Sequence, residues 1–330
     1  MPKLLLPLVI VGWVVAALVR SDAQAPAPDQ PAAVRRAANY LLAEVPRWRR
    51  EHPCYSCHNN GDGMRALMLA SARGLLDVQQ VNDAASWLRT PERWSTNSQD
   101  GGVKDDSLSH IQFASALSAL VDAGGAGRAS LDRAADLVLG DQRADGSWAI
   151  SATSNVGTPA GYGTPLATAL ARLVLTRATS DEARAGLART DVWLRGFEPQ
   201  AVLEASAVVL GLGAATDPPA AVARQRALQI LKAGQARDGG WGPYTTAPSE
   251  PFDTAVAVLA LRAFQSDVGL GLPGLSDAQR LDALARGRAY LLSLQDGDGS
   301  WPETTRPSGQ ESYSQRISTT AWALQALLAE

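Results

Sequence analysis

The feature that most constrains this chain is a sixteen-residue pattern that it carries three times. "RAADLVLGDQRADGSW" runs from Arg133 to Trp148, "RALQILKAGQARDGGW" from Arg226 to Trp241, and "RGRAYLLSLQDGDGSW" from Arg286 to Trp301. Each opens on Arg, continues with bulky apolar residues, and closes on Gln, three residues and Gly-x-Trp. The first half returns as "RAANYL" from Arg36, "DAASWL" from Asp83 and "RTDVWL" from Arg189, so one unit occurs six times. Repetition at this period marks a supersecondary unit that cannot bury its apolar face alone and must stack on copies of itself.

Each unit is followed by a segment with alanine two or three residues apart. The clearest are "DTAVAVLAL" from Asp253, "TTAWALQAL" from Thr319, "FASALSAL" from Phe113 and "LATALARL" from Leu166; "EASAVVLGL" from Glu204 and "MRALMLAS" from Met64 are weaker. Alanine favours helix and lets helices approach closely, so these segments predict inner helices. The partner segments carry Arg and Asp at intervals and predict outer helices with one wet face. Asp-Gly and Gly-x-Trp supply the turns between them. An open stack of hairpins needs polar end caps, yet the last segment, "STTAWALQALLAE", stays apolar. The first hairpin is its natural cover. The fold class expected is therefore all-α: one closed α/α toroid of six inner and six outer helices over residues 32–330.

The Gln-x3-Gly-x-Trp repeats resemble the QW motifs of squalene-hopene cyclases and related terpene cyclases, and "DTA", Asp253 to Ala255, resembles part of their repeat consensus. The resemblance implies that Gln142, Trp148, Gln235, Trp241, Gln295 and Trp301 are structural ties between each outer helix and the next turn. It does not extend to the chemistry. The cyclases protonate an alkene with the middle aspartate of Asp-x-Asp-Asp-Thr-Ala, and here the aligned stretch reads "EPFDTA". Phe252 stands at the donor position and Glu250 replaces the first aspartate. Aromatic residues, which line a cation-stabilising cavity, make up only 6% of the chain. Asp253, Asp105 and Asp106 are the acids left for some other reaction in the ring; the competing reading is helix N-caps or solvated first-turn charges.

The first hairpin replaces the pattern with something else. Where three others carry Gln and Gly-x-Trp, it has "EHPCYSCHNNGDG", Glu51 to Gly63, holding the only two cysteines and two of the three histidines. Cys-x-x-Cys-His is the attachment signature of c-type haem: Cys54 and Cys57 would form thioethers to the porphyrin vinyl groups, and His58 would ligate the iron. Three other readings exist. These are a zinc site on the two cysteines and one or two histidines, a Cys54–Cys57 disulfide, and a dithiol redox motif, which normally belongs to a βαβ context. For the sixth iron ligand the sequence offers His110, which the alanine register places at the start of the neighbouring inner helix. Met64 and Met68 are alternatives, and Arg47, Arg49 and Arg50 could meet haem propionates or lie on a solvated face.

With 33 acidic and 30 basic residues and a net charge of -3, no basic stripe points to nucleic acid. The partners expected are a redox protein and a hydrophobic small molecule. The opening "MPKLLLPLVIVGWVVAALVRSDAQA" has a basic start, an apolar run from Leu4 to Val19 and small residues at Ala23–Ala25. It reads as a signal peptide over residues 1–25; because Pro26 disfavours cleavage, the alternative is an uncleaved anchor. A linker over 26–31 follows. Either way the rest of the chain is expected in the periplasm or another extracytoplasmic space, with membrane association only through that segment.

Overall fold

The structure, a computed structural model, describes residues 29–52, 54–77, 79–97, 105–150, 163–213, 215–264, 275–304 and 311–329. The signal or anchor segment lies outside these residues. The linker boundary needs correction: Asp29 caps a helix by accepting from Ala32 N, and Gln30 and Pro31 already belong to it. Proline suits this first turn because it has no N–H to leave unpaired.

Six hairpins follow in chain order. The outer helices are α1 (Gln30–Glu51), α3 (Asn82–Leu88), α5 (Arg128–Gly140), α7 (Asp181–Gly196), α9 (Pro218–Gly234) and α11 (Asp277–Ser293). The inner ones are α2 (Met64–Ser71), α4 (Asp106–Asp122), α6 (Gly163–Leu175), α8 (Val202–Leu212), α10 (Pro251–Ala263) and α12 (Tyr313–Leu328). Consecutive inner helices pack side by side, and α12 packs on α2 and α1, so the ring is closed. Among the described residues no helix is long and apolar enough to cross a membrane.

The three full motifs work identically. The indole N–H of Trp148, Trp241 and Trp301 reaches back 2.7 Å to its own outer helix, at the carbonyls of Val138, Leu231 and Leu291. The backbone N–H of the same Trp donates to a threonine of the following inner helix: Thr168, Thr254 or Thr320. The glutamine amide reaches forward. Gln142 donates to Gly186 O, Gln235 to Ala283 O and Gln295 to Ala33 O, each also donating to the motif glycine's carbonyl. Trp therefore joins a hairpin to itself, and Gln joins it to the next. The motif glycines have φ between 92° and 95°, a region side chains avoid, and a Cβ on Gly299 would stand 2.5 Å from Arg36 O.

The bond from Gln295 to Ala33 closes the ring, and with it Arg36 Nη2 donates to Gln295 Oε1 at 2.5 Å and Gln30 to Leu327 O at 3.0 Å. Replacing Gln295 by Ala strands two carbonyls and is expected to lower unfolding free energy by about 1–3 kcal/mol. Gly299→Ala should cost at least as much, because both φ and the Arg36 carbonyl oppose a methyl group. Gly140→Ala, whose methyl meets no atom within 4 Å, serves as the unaffected control in urea denaturation.

Candidate functional site

The first hairpin reveals why its turn departs from the pattern. Its cysteine segment does not stop at the turn, nor does the inner helix wait for Gly63. A π-helix, Cys57–Gly63, runs directly into α2. Such wide turns mark functional positions more often than chance. Ser56 caps it, accepting from Asn59 N at 3.1 Å, and Ser56 N donates to Asn60 Oδ1 at 3.1 Å. Asn59 Nδ2 donates to Glu44 O at 2.7 Å and to the Tyr313 hydroxyl at 3.0 Å, while Gln112 donates to Asp62. The glycines are there for contact: a Cβ on Gly61 would lie 2.7 Å from Gln112 Cβ, and one on Gly63 2.9 Å from Val45. Every residue after His58 in this segment is buried.

His58 itself is 6% exposed and sits in an aromatic nest. The Trp48 ring meets it edge-on at 4.8 Å and Tyr313 lies at 5.9 Å; Trp48 also stacks on His52 at 3.7 Å. Burial drives the imidazole pKa down to about 3, with the nearby His52 adding to the effect, so the ring is neutral. Its Nε2 has no hydrogen-bond partner among the described residues. A neutral imidazole with a buried open nitrogen is the form that ligates a metal.

The neighbouring thiols complete the set. Cys54 is buried, and no disulfide joins the two cysteines. Burial, then the charge of Asp62, pushes the Cys57 thiol up to about 12. Zinc needs thiolates, and among the described residues no three His, Cys, Asp or Glu side chains converge as a metal site. Thioethers carry no such charge requirement. The turn therefore combines two cysteines without a disulfide and a neutral, buried imidazole.

His110 stands at the start of α4, as the alanine register predicts, but faces a different neighbour. Its Nδ1 lies 2.8 Å from Asp141 Oδ2, at the end of α5. Burial first, then the charges of Asp141 and Asp106, raises the nearby Asp105, whose own charge adds to the rise of Cys57. Asp105 is the N-cap of α4, accepting from Leu108 N at 2.9 Å, and Asp106 lies in the first turn, so the plain capping role holds for this pair. Asp253 differs: it is fully buried on α10, not a solvated first-turn charge. Phe252 packs against Trp322 at 5.8 Å, occupying the would-be donor position with an apolar ring. Met64 and Met68 are core residues. Arg47 pairs with Glu44 and Glu51, and Arg49 bonds His52 O and lies over Tyr55. Trp48, Asn59 and Tyr313 escaped sequence reasoning; the polar run "NNGDG" leading into an apolar helix was the available signal.

At the other mouth, where the inner helices end, lies a cavity of about 200 Å³. All six inner helices line it, with Leu69, Leu170, Leu210, Leu259 and Trp322 among its walls.

No family model matches the chain, and no curated protein does. Solved structures do. A type II terpene cyclase, MstE from Scytonema, here an R337A variant with its substrate geranylgeranyl dihydroxybenzoate, superposes with a TM-score of 0.59 at 12% identity, over 91% of this chain and 98% of that one. An ent-copalyl diphosphate synthase from Streptomyces platensis gives 0.53 at 20% identity, over 81% of this chain and 50% of that one. A polysaccharide lyase gives 0.53 at 12% identity, over 91% of this chain and 97% of that one. Chains with unrelated chemistry thus share this architecture, and the chain is similar to terpene cyclases in its α/α toroid fold.

Proposed function

We propose that this chain is an exported haem c protein that passes single electrons to a redox partner or senses redox state. The observation that carries the reading is the open, buried, neutral Nε2 of His58, the histidine of the Cys-x-x-Cys-His segment. The bound group would supply an iron that exchanges one electron. The chain's own residues hold and shield it. Trp48 and Tyr313 keep water from the His58 imidazole. His110, which would be a further ligand to the iron, is oriented by Asp141 on Nδ1, the second-layer carboxylate that ligating histidines commonly have. Export rests on the opening segment and on the fact that this attachment chemistry belongs outside the cytoplasm.

A second reading, an enzyme acting on an isoprenoid-like substrate, draws on the fully buried Asp253 and on the cyclase structures that share the fold. Exchange of Asp253 for Asn separates the two, since it should leave any haem spectrum intact.

Protein co-expressed with the haem-attachment machinery should give a covalent pyridine haemochrome. Cys57→Ser should lower its yield, and His110→Ala should turn a low-spin spectrum high-spin. Colourless wild-type protein overturns the proposal. In the haem-free chain the depressed His58 pKa has a second consequence. Between pH 6.5 and about 3 the unfolded state holds a proton that the folded state refuses, so stability falls as pH drops through this window. The slope contributed is about 1.4 kcal/mol per pH unit, and His58→Asn should remove it in urea melts taken across the window.

A further inference from the structure

The cavity at the C-terminal mouth of the inner helices contains a cation that the fold does not neutralise. Arg65, partly buried on α2, donates through Nε to Gln325 Oε1 at 2.5 Å and lies 4.3 Å over the Trp322 ring. Those are its only partners among the described residues: an amide and an aromatic face, neither of them an anion. Its two terminal nitrogens, the fork that grips a carboxylate with two parallel bonds, have no acceptor there. The other cation at this mouth is settled, because Arg177 bonds Asp122 at 3.0 Å, and Asp122 is the carboxylate lining the cavity.

A second observation lies on the adjacent helix. Ser115 of α4 lines the same cavity, is 8% exposed, and its hydroxyl has no hydrogen-bond partner among the described residues. A buried donor left open costs about 1–3 kcal/mol unless something fills it. Apart from Ser118, which bonds Ala114 O, and Gln325, which bonds Arg65 and Ala321 O, the remaining walls are apolar. The inner helices point their negative ends at this mouth, which would oppose an anion, but that field fades within the last turn. Gln325, which Arg65 bonds, lies in the last turn of α12, so the positive guanidinium itself stands against those helix ends and offsets their field.

We infer that this cavity binds an amphipathic carboxylate, a medium-chain fatty acid or a molecule of that chemistry, with the carboxylate on Arg65 and Ser115 and the chain against Leu170, Leu210 and Leu259. The cavity measures about 200 Å³, and its leucine walls are the surface the alkyl chain would take. The site is at the opposite end of the ring from the cysteine segment and is independent of the haem assignment.

Titration calorimetry on the full chain with octanoate, octan-1-ol and octylamine tests it. Octanoate should bind at least tenfold more tightly than the alcohol, and the amine should not bind. Arg65→Met should erase the preference for acid over alcohol while alcohol binding persists, and Leu170→Trp should block both. Equal binding of octanoate and octanol to the wild type overturns the inference whether or not the variants fold; so does a preference that survives Arg65→Met.

Discussion

A ring of helical hairpins holds only if the last grips the first, and here the grip is the 2.9 Å bond from the Gln295 amide to Ala33 O. Each motif glutamine has two N–H groups and spends them on two carbonyls, one in its own turn and one on the next outer helix. That division makes the amide a spacer of fixed length between neighbouring hairpins. At three of the six joints it fixes how one hairpin stands against the next.

The glycine two positions before each Trp makes the grip feasible. The turn must bring backbone against backbone, Gly299 against Arg36 and Gly239 against Arg286, with φ near +95°. No side chain could stand in that gap. The Arg that opens the following copy reinforces each of these joints from the far side: Arg36 on Gln295, Arg189 on Gln142 and Arg286 on Ala236 O. The first hairpin gives up this device. In its place a network through Asn59, Glu44 and Tyr313 ties the π-helix to α1 and α12, and this exchange leaves His58 enclosed with an open nitrogen.

The repeat, the count of hairpins, the inner and outer alternation and ring closure were all legible in the chain, because each follows from local pattern and from the need to cover the apolar "STTAWALQALLAE". The site was legible only in its residue types. Cys-x-x-Cys-His announces chemistry by spacing, but nothing in hydrophobic periodicity distinguishes a π-turn from an α-turn over seven polar and small residues. The burial of Asp253 was hidden for a related reason. A first-turn acid looks the same in sequence whether its helix starts at the surface or inside a packed barrel. The cavity beside Arg65 was invisible because it depends on how six separate helices fill their common axis.

The junction between Gln30 and Leu327 has a consequence for how such a molecule comes apart. A linear array of repeats can fray from a terminal unit that has only one neighbour; here every hairpin has two, and the seam between the sixth and the first carries the same glutamine bond as the joints made by Gln142 and Gln235. No hairpin is a natural starting place for loss of structure. Removing any one breaks two joints at once, so the circle should melt as a single cooperative body, and cutting the chain at a surface turn while joining residues 30 and 327 would leave its architecture unchanged.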